Sequence, residues 1–138
     1  MQYESVILEL QRATHATLQV LAAELVDLDL TPSELNALGN LADGAARTVS
    51  QLGAAVGSRP TTLTGVLDRL ERRGLITRSP RPGDRRAVLI ELTADGAHTA
   101  AQIHRTLRAV EKRALTDLPP DSLASARAVL QALTELGT

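Results

Sequence analysis

Residues 48–78 read TVSQLGAAVGSRPTTLTGVLDRLERRGLITR, and the placing of small, apolar and basic residues in this stretch decides the fold. Thr48 followed three residues later by Gln51 forms a capping box, so a short helix begins here and runs to about Val56. Gly57 and Ser58 interrupt it, and Ser58 or Arg59 caps a second helix whose first turn tolerates Pro60. In that second helix Leu63, Val66, Leu67 and Leu70 recur at helical spacing and define the buried face, while Gly74 marks its end. Thr61, Thr62, Thr64, Gly65, Asp68, Arg69 and Arg72 are left facing outward. Two short helices joined by a glycine-containing turn, the second basic, describe a helix-turn-helix. Ordinary helical domains contain such pairs too, so the flanking residues must decide between the two readings.

Toward the C-terminus, LITRSP and RAVLIEL are short strands rich in branched residues on either side of the turn RPGD, residues 81–84. The resulting hairpin carries Arg81, Asp84, Arg85 and Arg86 at its tip. TADG at 93–96 opens a helix reaching about Leu115, LPP breaks the chain, and a last helix over about 121–136 places Leu123, Val129, Leu130, Leu133 and Leu136 near one face. Toward the N-terminus, Thr31, Pro32 and Glu34 form another capping box, opening a helix over about 32–43 that is followed by a DGAAR loop. Before it, Ile7, Leu10, Leu18, Leu21, Leu25 and Leu28 trace an apolar stripe along a helix over about 4–28, interrupted at Thr14 and Thr17. The expected class is mainly α with a small β-hairpin wing.

The composition narrows the function. A chain of 138 residues fits one domain. With no Phe or Trp and a single Tyr, its core must be built from Leu, Val, Ile and Ala. The absence of Cys removes disulfides, thiolate metal sites and cysteine nucleophiles. MQYESVILELQR has no basic region leading into an apolar core, and no apolar run is long enough to span a bilayer, so a cytoplasmic protein is expected. The net charge of −1 conceals a segregated distribution. Residues 47–86 hold nine arginines against Asp68, Glu71 and Asp84, a net +6, and the remainder is −7. A basic segment between acidic flanks marks a surface that meets polyanion, against the plainer reading of a solvated charged face. A basic helix and an arginine-tipped hairpin in succession provide one probe for the major groove and one for the minor groove.

These residues resemble the MarR-type winged helix-turn-helix transcriptional regulators. LTPSELNALGNLA, the stretch quoted above and DRRAVLIELTADG occur in that family's order and spacing over nearly the whole chain. The DxR followed by an apolar strand and LTxxG is more specific than the helix pair. The resemblance implies a single domain over 1–138, with residues 31–96 as the DNA-binding region and 1–30 and 97–138 as interlocking dimerisation helices. It also implies a homodimer on a palindromic double-stranded DNA operator, and a ligand-responsive repressor. Carried over by position, Arg59, Pro60, Thr61, Thr62 and Thr64 would read base edges, with Arg59 able to take both guanine acceptors. Many members have an arginine where this chain has Gly65, which removes one base contact. In the wing, Arg86 would enter the minor groove beside Arg81 and Arg85, and Asp84 would orient an arginine. Arg69, Arg72 and Arg78 would meet phosphates, with ion pairs to Asp68 or Glu71 as the competing role for Arg69 and Arg72.

Effectors of the family are small aromatic compounds, and Arg12 and His15 are the candidates here for lining such a pocket, against a structural role for His15. No cofactor is expected. His15, His98 and His104 lack zinc-ligand spacing, and no nucleophile with its base, paired carboxylates or phosphate loop is visible, so neither a metal site nor an enzyme is expected. The competing function is a winged helix used for protein contacts without specific DNA binding.

Overall fold

Two reciprocal caps and a glycine lock set the architecture of the computed structural model, which describes residues 4–57 and 59–137. Helix α1 spans Val6–Glu24 and gives way to a 3-10 turn at Val26–Leu28. Asp29 then adopts a left-handed conformation (φ 52°), so the first helix stops short of the expected residue 28. Helix α2, Pro32–Asn40, opens on the predicted capping box: Glu34 N–H donates to Thr31 Oγ1 at 3.2 Å, and Thr31 N–H donates to Glu34 Oε1 at 3.1 Å. It also ends early, three residues before the expected boundary, because the chain turns at Gly44 (φ 78°) to form a strand.

That strand, β1, is the two residues Arg47–Thr48. Thr48 is at once its last residue and the cap of helix α3, Val49–Val56, where Gln51 closes the second capping box. Helix α4 spans Pro60–Arg72 with Arg59 as its cap residue, which makes no side-chain capping bond. The alternative cap, Ser58, lies outside the described residues. Gly74 (φ 73°) ends α4: its N–H donates to the Glu71 carbonyl and that of Leu75 to the Leu70 carbonyl, a Schellman lock that buries Leu70 and Leu75 together.

The wing is formed by β2, Ile76–Arg81, and β3, Asp84–Leu92, paired antiparallel from Ile76↔Leu92 to Arg81↔Asp84, with an irregularity between Pro80 and Arg81. Pro82 fixes one turn residue and Gly83 supplies the other at φ 83°, a backbone region open to few side chains. β1 pairs with β3 through Arg47↔Ile90 and Thr48↔Leu89, giving the order β1-β3-β2. Helix α5, Ala94–Leu115, starts beneath the wing, and α6 spans Pro120–Thr134.

The described chain divides into two compact units at Leu107/Arg108. In the first, Leu35, Leu38 and Leu41 of the α2 segment, Leu52 of α3, the predicted Leu63, Val66, Leu67 and Leu70 of α4, Ile76 and Ile90 of the wing, and Ile103 of α5 form one aliphatic core. Only the end of the α1 stripe joins it, through Leu21, Leu25 and Leu28; Val6, Ile7, Leu8, Leu18 and Val20 stay exposed. In the second unit no residue of α6 is buried, and Leu123, Val129 and Leu130 are exposed.

A candidate nucleic-acid interface on helix α4 and the wing

Helix α4 is amphipathic because its four core residues occupy one side, which forces the opposite side into solvent. Arg59, Thr61, Thr62 and Thr64 are exposed at its start, and Arg69 and Arg72 further along. Gly65 lies opposite the core residues, in the middle of this outward face. The wing puts Arg81, Asp84, Arg85 and Arg86 on its exposed tip. An open groove separates the start of α3 from the wing, lined by Thr48, Val49, Ser50, Arg81, Asp84 and Arg86.

The nine arginines of the basic segment fall into two groups. Arg47 makes a two-pronged pair with Asp43, Nη1 to Oδ1 at 2.9 Å and Nη2 to Oδ2 at 2.7 Å. The hydrogen bond from Arg47, with a second from the Ala45 N–H, lowers the Asp43 carboxyl from 3.8 to about 2. Arg73 donates to the carbonyls of Asp29 and Leu28 and so ties the end of α4 to the turn after α1. Arg72 Nε donates to the Asp68 carbonyl at 3.3 Å. Arg69 Nε lies 3.7 Å from Oε1 of Glu34.

Arg78 bridges two acids of α4: its Nη2 is 2.8 Å from both Asp68 Oδ1 and Glu71 Oε1, and its Nε donates to Glu71 Oε2 at 3.3 Å. Hydrogen bonding to Arg78 lowers the Glu71 pKa; hydrogen bonding to Glu71 raises that of Arg78, opposed by burial and aided by a smaller contribution from Asp68. Arg78 therefore clasps the base of the wing to the outward side of α4. The expected acid pairing thus falls on Arg78, expected at phosphate, while Arg69 pairs with Glu34 instead.

By contrast, among the described residues no ion pair or side-chain hydrogen bond engages Arg59, Arg81, Arg85 or Arg86. Asp84, expected to orient an arginine side chain, instead accepts the backbone N–H of Arg86 at 3.0 Å. Its carboxylate shapes the turn and leaves the guanidinia to solvent, because a side chain two residues away on a tight turn reaches the backbone more easily than a long side chain's end.

A partly open pocket lies away from this face. A cavity of about 220 Å³ is lined by Leu18, Leu21 and Leu25 of the α1 segment, Leu35, Asn36 and Asn40 of α2, and Ile103 and Leu107 of α5. Arg12 and His15 are exposed on α1 and do not line it. The sequence reading missed Asn36 and Asn40, whose only signal was two amides one helical turn apart, and Glu34, which was read only as a cap. Among the described residues no three potential metal ligands cluster, and no helix is long and apolar enough to cross a membrane.

A three-helix unit with an arginine-tipped antiparallel wing beside an exposed basic helix is a winged helix-turn-helix, and comparison with known proteins agrees. The MarR family model matches residues 30–88. The multiple antibiotic resistance protein MarR of Escherichia coli is 32% identical over 108 residues, 78% of this chain and 75% of that protein. Its counterpart from Salmonella typhimurium is 36% identical over 81 residues, 59% of this chain and 56% of that protein, so that match spans little more than half the relative's length. The crystal structure of wild-type E. coli MarR superposes with a TM-score of 0.77 at 25% identity, covering 96% of this chain and 98% of the other. That of Bordetella bronchiseptica BpsR, whose DNA binding is described as regulated by 6-hydroxynicotinic acid, gives a TM-score of 0.78 at 26% identity over 97% and 98%. The chain belongs to the MarR family of transcriptional regulators.

Proposed function

We propose that this protein is a sequence-specific transcriptional repressor that binds a palindromic DNA operator as a homodimer and releases it in response to a small molecule. The observation that carries this reading is the division of the nine arginines of residues 47–86: among the described residues, the guanidinia of this segment without an internal partner lie at the start of α4 and on the wing tip. Arg59, with Pro60, Thr61, Thr62 and Thr64 beside it, reads base edges; Arg86, flanked by Arg81 and Arg85, probes the minor groove. Residues 31–96 form the DNA-binding region. The apolar faces left open on α1 and on α6 favour pairing with a second copy through residues 1–30 and 97–138. Two-fold protein symmetry then asks for half-sites about one helical turn of DNA apart. A dimer covering a promoter blocks polymerase without further contacts, which favours repression over activation.

The cavity between α1, α2 and α5 suits the effector. Its walls are aliphatic, its polar groups are the amides of Asn36 and Asn40, and no charged side chain lines it, which favours a small, mostly apolar molecule carrying a hydrogen-bonding group. The relation of BpsR to 6-hydroxynicotinic acid supports an aromatic ligand of this size. Selection of bound duplexes from a random DNA pool, followed by affinity measurements at rising salt, tests the proposal. An enriched palindrome with steep salt dependence is expected; weak, salt-insensitive binding without a motif would point to a protein partner instead. Thermal-shift screening of small phenolic compounds tests the effector, and uniformly unchanged melting would indicate a constitutive regulator.

A further inference from the structure

The middle of the outward face of α4 has no side chain, because Gly65 stands there opposite Leu63, Val66, Leu67 and Leu70. The gap is nonetheless covered. A helical side chain leans over the turn N-terminal to its own Cα, so Arg69, one turn further on, reaches back across residue 65. Its Nη1 lies 3.4 Å from the position a Gly65 Cβ would take. From the other side its Nε faces Oε1 of Glu34 at 3.7 Å. Glu34 is a fixed anchor: its side chain is 5% exposed and accepts the Thr31 N–H, whereas the Arg69 side chain is 46% exposed. One edge of the guanidinium therefore faces a buried carboxylate at ion-pair distance, while Nη1 lies over the bare helix at Gly65.

We infer, building on the operator-binding reading above, that Arg69 reads a base: its guanidinium recognises guanine through O6 and N7, Gly65 provides the passage and Glu34 is the positioning residue. A phosphate contact asks only for a positive charge at the groove's margin, which a freely moving side chain supplies. A fork oriented by a carboxylate at its Nε and laid over the middle of the recognition face matches instead a planar pair of acceptors on a base edge. On the wing side of the same face Asp68 is occupied by Arg78 and does not compete for Arg69.

Selections from one random duplex pool with the wild type, Arg69→Ala and Arg69→Lys test this. The wild type is expected to prefer guanine at one symmetric position of each half-site. Both variants should lose that preference by about tenfold or more and keep the rest of the motif, since lysine retains the charge but not the fork. The inference is overturned if Arg69→Lys keeps the motif while Arg69→Ala weakens all sequences alike with a shallower salt dependence, the mark of a phosphate contact. It is equally overturned if neither variant changes the motif and only the melting temperature falls, which would leave the Glu34 ion pair as the whole role. Wild-type protein that selects no motif would overturn the operator reading and this inference with it, and that outcome is visible before any variant is compared.

Discussion

A Cβ placed on Gly96 would lie 1.8 Å from the carbonyl oxygen of Leu75, so α5 can start where it does only because its third residue has no side chain. The same corner is stitched by Thr93, whose N–H donates to the Leu75 carbonyl at 3.1 Å, whose hydroxyl donates to that of Gly74, and which caps α5 by accepting the Gly96 N–H at 3.0 Å. Gly96→Ala must push backbone from backbone, and a loss of about 3 kcal/mol is expected, at the upper end for overpacking. Urea unfolding measures it, and a loss below about 1 kcal/mol would mean that α5 pulls away from the wing at little cost.

Arg86→Ala should lower operator affinity with the fold untouched, because the guanidinium has no internal partner to lose. Stability is expected to stay within about 0.5 kcal/mol of the wild type. The salt dependence of log affinity should fall by about one per half-site, as for loss of one phosphate-neutralising charge. Titration of labelled operator at several salt concentrations decides it; an unchanged affinity and slope would remove the wing tip from the interface.

Gly65→Ala separates stability from recognition. Alanine at this helical position is favoured over glycine by up to about 1 kcal/mol, so the melting temperature should rise. The added methyl group meets Arg69 Nη1 at 3.4 Å and displaces the guanidinium by a few tenths of an ångström, so discrimination at the guanine position should fall in the same protein. A variant that is more stable and equally discriminating would show that the passage over residue 65 is not used.

The Asp43–Arg47 pair predicts a pH dependence with a definite sign. The folded carboxyl lies at about 2 against 3.8, depressed by its partner, so its contribution is complete above about pH 4 and is lost as pH falls toward 2. The difference in unfolding midpoint between the wild type and Asp43→Asn should be present near neutral pH and close in acid. A difference that persists near pH 2 would place the effect of the substitution elsewhere, in the turn that Asp43 forms with the Ala45 N–H.

Much of the fold was legible because its signals are local. The boxes at Thr31/Glu34 and Thr48/Gln51 each lie within one helical turn, and the α4 stripe repeats at a period that a single helix imposes. Strand β1 was not legible: two residues carry no alternation, and Arg47–Thr48 becomes a strand only because Leu89 and Ile90 of β3 lie beside it. The candidate site divides in the same way. Which residues of α4 face outward followed from periodicity, whereas the partners of the arginines did not. Arg69 meets Glu34 from across the helix-turn-helix, and Arg73 meets the Asp29 carbonyl 44 residues away, contacts that require the folded chain.

The wing's order β1-β3-β2 leaves β2 as an edge along its whole length, and β1 covers only Leu89 and Ile90 of β3 on the other side. A protruding hairpin with open edges is the kind of element on which chains add strand to strand and aggregate. Here Pro80 offers no N–H at one edge, the Pro80/Arg81 irregularity breaks the register, and Arg81, Arg85 and Arg86 would bring like charges together if two wings met edge to edge. The arginines proposed to suit the tip to a polyanion thus also keep one wing from adding to another.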